Sequence, residues 1–294
     1  MVKTIKETIF SFLDMLLFSN VFIAICAVAQ AYVTYHLLEL PPNKYVLGIL
    51  FLGTLIIYNL SMLLSKPKNP KNSSFKRVKW IFSHSRLTTT ITLVACLAIV
   101  PLTLFYLSFH GLMFILGTGL LAVAYSLPIF TLNNRPIGLR NLPGIKLFLI
   151  ALVWSLSTVA FPIIEAERSY GMSVPFTETF LLTTKRFLFI AAITIPFDIR
   201  DFFQDKIYEL KTLPVLLGVR KSQWICFGFL VVYLVLVLLF NNGISLDVIA
   251  SATTVLITSW LIFKSNFKRD EYYYFLLLDG TMLLHLGLLK LYNI

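Results

Sequence analysis

Charge is scarce in this chain: Asp, Glu, Lys and Arg make up 13% of its 294 residues, against 58% hydrophobic side chains. A water-facing globular surface needs a composition nearer roughly 25% charged, so a soluble domain is excluded as the main architecture. Cysteine is nearly absent. Cys26, Cys96 and Cys226 each lie in an apolar segment with no pairing spacing, which excludes a zinc site or a disulfide framework. Carboxylates are scarcer than cations, 14 against 25, and none occurs between Lys44 and Glu165. The longest polar stretch, residues 65–87, is a loop or short helix rather than a domain. Residues 8–38 run as one apolar stretch without a small-residue cleavage site, so they read as a span and not as a removable signal.

Long apolar runs are what the chain has instead, with a mean hydropathy of +0.83. A helix needs about 20 residues to cross a hydrocarbon core. Nine runs meet or approach that length, at 8–38, 45–64, 88–108, 111–130, 145–164, 180–198, 222–240, 244–263 and 272–291. Backbone groups in lipid must bond within their own segment, and the runs are too continuous for barrel strands. The fold class is therefore all-α: one transmembrane bundle over residues 1–294, with about nine spans.

Lys and Arg set the orientation, because they are retained on the cytoplasmic side of short loops. With the N-terminus inside, 20 of 25 fall in cytoplasmic segments; the others are Lys44, Arg168, Lys185, Arg186 and Lys290. An odd number of spans places the C-terminus outside. The net charge of +11 sits in juxtamembrane loops, a pattern that serves anionic lipid heads rather than nucleic acid.

The most informative stretch is Ile195-Pro196-Phe197-Asp198-Ile199-Arg200-Asp201-Phe202-Phe203-Gln204-Asp205, at the cytoplasmic end of the sixth span. On a continuous helix, steps of three and seven put Asp198, Asp201 and Asp205 on one face. Such a stripe should face a protein interior or an aqueous cavity and hold a cation, and Mg2+ suits hard oxygen ligands. The alternative is a solvated helix end paired with Arg200, Lys206 and Lys211. Asp279 admits two readings, a functional group within the ninth span or a hydrogen-bonded structural one, while His285 reads as structural. Asp14, near the inner end of the first span, snorkels toward water. The 26 Phe, 13 Tyr and 4 Trp define no aromatic cage beyond what a lipid-facing bundle requires.

Asp198, Asp201 and Asp205 match the second aspartate motif, D-x-x-D-x-x-x-D, of the UbiA superfamily of intramembrane prenyltransferases, which this sequence resembles. Leu210-Lys211-Thr212-Leu213-Pro214-Val215-Leu216-Leu217-Gly218 is similar to that family's continuation. Ala124-Tyr125-Ser126-Leu127-Pro128 resembles its Y-S-x-P-P turn, with Ile129 replacing the second proline. Leu142-Pro143-Gly144-Ile145-Lys146 and Ala151-Leu152-Val153-Trp154 are similar to the start of its fifth span, and the nine-span count agrees across the whole chain. The first motif, N-x-x-x-D-x-x-x-D, departs: Asn59 is kept, but Leu63 and Pro67 stand where aspartates are expected, with Lys66, Lys68 and Lys71 nearby.

The resemblance implies a magnesium-dependent transfer of an isoprenyl group from a diphosphate to an aromatic or lipophilic acceptor, through an allylic cation. It assigns Asp198, Asp201 and Asp205 to Mg2+ and catalysis, and Asn59 to a metal-bound water or phosphate oxygen. Arg140, Lys146, Lys206 and Lys211 become candidate diphosphate contacts, and Tyr125 a donor to the leaving group. Segments 65–87 and 199–221 would cap the cavity from the cytoplasm. Loss of half the acidic clamp leaves a second reading open, a non-catalytic protein that binds or transports an isoprenoid or another anionic lipid.

Overall fold

The computed structural model describes all residues except 1, 68, 127–129, 133–134, 138–144, 208–209, 241–242, 244 and 293–294, and leaves side chains aside at 2–7, 126, 130–132 and 135–137. The chain is a helical bundle: α1 (Val2–Phe18), α2 (Val21–Leu37), α3 (Lys44–Leu64), α4 (Lys76–Ser83), α5 (Ser85–Tyr106) and α6 (Phe109–Ser126) come first. A short antiparallel ribbon follows, β1 (Phe130–Leu132) paired with β2 (Arg135–Ile137) through Thr131 opposite Pro136. Then come α7 (Ile145–Ser155), α8 (Phe161–Tyr170), α9 (Phe176–Arg200), α10 (Phe202–Ile207), α11 (Leu213–Leu217), α12 (Val219–Leu239), α13 (Leu246–Lys264) and α14 (Thr281–Tyr292). The ribbon is a small addition to the all-α expectation.

Seven helical stretches are long and apolar enough to cross a membrane, or eight if α1 and α2 form one bent span. The shorter apolar helix at Phe109–Tyr125 occupies the remaining place in the expected nine. The chain is thus an integral, multi-pass membrane protein. Its first run is not one straight helix, since α1 and α2 meet at 61°. Asn20 makes the break with a left-handed backbone, φ 67° and ψ 11°, a conformation Asn tolerates because its short amide finds local bonds. Apolarity carried no sign of that break; the Ser19-Asn20 pair was the available signal.

Wide-turn segments at Leu156–Ala160 and Tyr273–Leu278 interrupt two other spans. Such π-turns free backbone groups and re-aim the following side chains. The main core packs α2, α7, α9, α12, α13 and α14 around Phe189, Ile190, Ile195, Leu230, Val255 and Met282. α3, α5 and α6 lean on it through a second cluster around Tyr35, Val46, Ile49 and Phe161. At the end away from Asp198, Glu165 is fully buried and accepts from the Ser108 hydroxyl at 2.8 Å and the Ser169 hydroxyl at 3.2 Å. Gly111 makes this possible, because a Cβ there would fall 1.6 Å from Glu165 Oε1.

Orientation can be read chemically. Ser73→Cys should react with an impermeant thiol probe only from the cytoplasmic face, and Ser173→Cys only from the outer face. Labelling of Ser73→Cys but not Ser173→Cys from outside would reverse the topology.

Candidate functional site

The acidic stripe is broken by the backbone. α9 ends at Arg200, Asp201 caps it with φ −86° and ψ 6°, and Asp205 lies on the separate helix α10. The three carboxylates therefore do not share one continuous helical face, and Asp198 and Asp201 alone among them line the cavity of about 210 Å³ at this end of the bundle. Each is already engaged by a cation. Lys146 Nζ donates to Asp198 Oδ1 at 2.5 Å. Arg200 forks onto Asp201, with Nε at 2.7 Å from Oδ1 and Nη2 at 2.9 Å from Oδ2. The alternative pairing of the stripe with Arg200 is thus realised at Asp201, while Lys206 and Lys211 are exposed and outside the cavity. Arg140 lies outside the described residues. Tyr125 is half-buried on α6, within electrostatic range of Lys146.

A residue that sequence reasoning passed over completes the cavity. Arg77, on α4, reaches in from the 65–87 segment and donates from Nη2 to Asn20 Oδ1 at 2.5 Å. Asn20 Nδ2 in turn donates to Asn59 Oδ1 at 2.6 Å. Asn59 is fully buried behind Asn20, so its observed role is to fix Asn20, which aims Arg77. The guanidiniums of Arg77 and Arg200 both lie over the Phe275 ring, at 4.8 and 5.0 Å from its centroid. Burial, and then the neighbouring Arg200 charge, push the Arg77 pKa down to about 10, which still leaves it charged at neutral pH.

Two donors in this cluster, Arg77 Nε and Arg200 Nη1, are buried with no hydrogen-bond partner among the described residues. Buried orphan donors are uncommon and ask for an acceptor. Asp279 also lines the cavity from the turn before α14 and forms no ion pair within 4 Å among the described residues. His285, six residues on, does not share the cavity, and bonds Ser251 at 3.3 Å as a structural histidine would. Asp14 accepts from the Tyr272 hydroxyl, so it is tied to the protein as well as placed near the rim.

An apolar cavity of about 400 Å³ adjoins the charged one between α3, α5, α6 and α7. Tyr58 and Trp154 line both, joined by a bond from Trp154 Nε1 to the Tyr58 hydroxyl at 3.3 Å. The combined space has a charged head, lined by three cations and three carboxylates, and a greasy body.

Metal ligation can be tested on the donors present. No group of three His, Cys, Asp or Glu side chains converges among the described residues. Asp205 Oδ2, however, is buried without a partner. Asp205 and Asp198 lie within electrostatic range of each other and of Lys146. One or two carboxylates plus waters and substrate oxygens are the usual Mg2+ donors, so Asp198 and Asp205 are the residues of this end that would hold an ion.

Burial, opposed by Lys146 and reinforced by Asp198, raises the Asp205 carboxyl to a pKa of about 6. Because the folded value exceeds the unfolded one, the protonated form is favoured by folding. That stabilisation is full below about pH 4 and is lost as pH rises through about 6. Apo protein should therefore lose thermal stability between pH 4 and 7, and Asp205→Asn should flatten that slope in a melting series. Added Mg2+ should bind the wild type more tightly at pH 7 than at pH 5, since metal competes with the proton.

No family model matches the sequence, and no curated protein matches it either. Solved structures do. A UbiA homolog from Archaeoglobus fulgidus bound to GPP and Mg2+ aligns at 15% identity over 95% of this chain and 99% of that one, with a TM-score of 0.67. The same protein bound to DMAPP and Mg2+ gives 14% identity, 95% and 98% coverage, and 0.65. The apo structure of a UbiA homolog from Aeropyrum pernix K1 gives 12% identity, 92% and 98% coverage, and 0.66. At these identities the likeness establishes the fold, which is that of UbiA homologs along nearly the full chain.

Proposed function

We propose that this protein is a membrane prenyltransferase, which binds an isoprenyl diphosphate with its head among Arg77, Lys146 and Arg200 and its chain in the Tyr58–Trp154 cavity. The acceptor is an aromatic or lipophilic molecule that reaches the same space from the bilayer. The observation that carries the reading is the junction itself: orphan donors on Arg77 and Arg200 at one end, an apolar cavity at the other, and two aromatic side chains between. The bound GPP and DMAPP of the A. fulgidus homolog are diphosphates with an allylic chain, the shape this space would accept. The Lys/Arg-rich end faces the cytoplasm, with segments 65–87 and 199–221 over the cavity mouth.

The chemistry follows from charge. Breaking the bond between C1 and the diphosphate oxygen leaves the electron pair on oxygen, where Arg77 and Arg200 supply fixed, directed N–H groups. Asp198 and Asp205 would hold Mg2+, which would supply further neutralisation of the leaving diphosphate. The rings of Tyr58 and Trp154 face the allylic carbon and stabilise its positive charge through their quadrupoles. The acceptor's nucleophilic atom then bonds to that carbon and sheds a proton. Asp279, the cavity carboxylate not held in an ion pair, is placed to receive it.

Purified protein in lipid nanodiscs should release pyrophosphate from geranyl diphosphate when a competent acceptor and Mg2+ are present. Asp279→Asn should slow turnover by about 100-fold or more while changing the affinity for a non-hydrolysable diphosphate analogue little. Arg77→Gln should weaken that analogue about ten- to hundredfold, the worth of one charge-assisted bond. One observation favours the second reading: Asp198 and Asp201 are neutralised by the chain's own Lys146 and Arg200. Saturable analogue binding without pyrophosphate release from any donor and acceptor pair would make the protein an isoprenoid carrier instead.

A further inference from the structure

We infer that the end of the bundle opposite Asp198 holds a second anion site, built on Arg186 and fitted to a phosphate group that still carries one O–H. Arg186 stands on α9, twelve residues before Asp198, so about 18 Å away along the helix axis. Its residue is 3% exposed. Its guanidinium donates from Nη1 to the Gln30 carbonyl at 2.7 Å and to Thr158 Oγ1 at 3.3 Å, and from Nη2 to Thr34 Oγ1 at 3.4 Å. All three acceptors are neutral. Among the described residues no carboxylate lies within ion-pair distance of it.

A cation buried this far inside a membrane protein is costly without a counter-charge. A guanidinium also has five donors, and these three bonds leave two of them for something else. Arg186 lines a cavity of about 280 Å³ together with Lys185, Gln30, Tyr233, Ser251 and His285. Lys185 is half-buried and adds a second positive charge.

Gln30 supplies the independent sign of a ligand. It is fully buried and donates from Nε2 to the Met282 carbonyl at 2.8 Å, which fixes the amide's orientation. The other amide atom, Oε1, is buried with no partner among the described residues. The cavity thus offers two cations and one acceptor in need of a donor. A carboxylate would satisfy the cations and leave Gln30 unpaired, and so would a phosphodiester. Hydrogen phosphate, or a phosphomonoester in its monoanionic form, satisfies both: its charged oxygens accept from Arg186 and Lys185, and its P–OH donates to Gln30.

Two carboxylates also border the cavity. Glu178 is exposed, eight residues before Arg186 on α9, and Asp247 bonds His36 Nε2 at 3.2 Å at the start of α13. Both sit at the rim, and their negative charge favours a ligand that keeps a proton over a fully deprotonated one. The phosphate comes either from solution or from a phosphomonoester lipid headgroup at this face of the bilayer.

Titration of the full chain in dodecyl maltoside with inorganic phosphate, followed by calorimetry, tests the site, and titration in phosphatidylcholine nanodiscs with added phosphatidate tests the headgroup source. Wild type should bind one of the two saturably. Lys185→Gln and Arg186→Gln should each weaken binding about tenfold or more, and Gln30→Met should weaken it less. Among the described residues the Lys185 side chain forms no ion pair, so its variant keeps the test decisive if Arg186→Gln does not fold. Binding of free phosphate alone identifies a soluble anion, and binding of phosphatidate alone a headgroup; either supports the site. Saturable binding of neither probe would overturn it. So would affinity that survives both cation variants, or that is lost in Arg77→Gln instead, which would put the ion in the Asp198 cavity.

Discussion

An ion pair on the cavity wall, Lys146 Nζ against the buried Asp198 Oδ1 at 2.5 Å, is the constraint on which the Asp198 end of this protein depends. It ties the start of α7 to the end of α9, two helices that pack along their length around Ala151, Trp154 and Ile190. Asp198 cannot be left alone there, because removing Lys146 would leave its carboxylate buried and uncompensated, a change that costs about 3–5 kcal/mol in buried pairs. The pair also settles what the second carboxylate does, since Asp201 turns to Arg200 rather than to a shared cation. Three cations and three carboxylates line the cavity, and Arg77, brought in by a helix outside the main bundle and held by Asn20, is the cation that forms no ion pair among the described residues. Its unpaired Nε donor is a natural complement to a diphosphate oxygen.

Much of this was legible beforehand. The apolar runs located the spans, the Pro196-Phe197-Asp198 stretch located the charged end, and Lys146 and Asp198 were both singled out. The bundle, its helical class and its likeness to UbiA homologs stand. What stayed hidden was set by backbone breaks rather than by composition. A helical-wheel argument assumes an unbroken helix, and Asp201 interrupts one, so Asp205 sits on α10, away from the cavity that Asp198 lines. Asp205 itself stays buried, while Lys206 beside it and Lys211 beyond it are exposed.

Arg77 and Asn20 illustrate the other limit. Arg77 is one of seven cations between Lys66 and Arg86, and nothing local separates it from its neighbours. Only the packing of α4 against α1 and the Phe275 ring selects it. Asn20 was concealed inside a run read as one span, although an Asn in the left-handed conformation is what bends that run and turns its side chain toward Arg77. Asn59, matched by resemblance, works one step further back, as the support of Asn20. Leu63 and Pro67 carry no charge, and the relay of Asn59, Asn20 and Arg77 presents a cation to the cavity that Asp198 lines.

Whether the fixed Arg77 holds the diphosphate is tested most directly by a structure of the protein with a non-hydrolysable geranyl diphosphate analogue and Mg2+. The account predicts diphosphate oxygens on Arg77 Nε and Arg200 Nη1, any metal confined to the Asp198 and Asp205 side, and the chain passing between Tyr58 and Trp154. A diphosphate resting on Lys206 and Lys211 at the surface, or one bound with Arg77 turned away from it, would contradict the account.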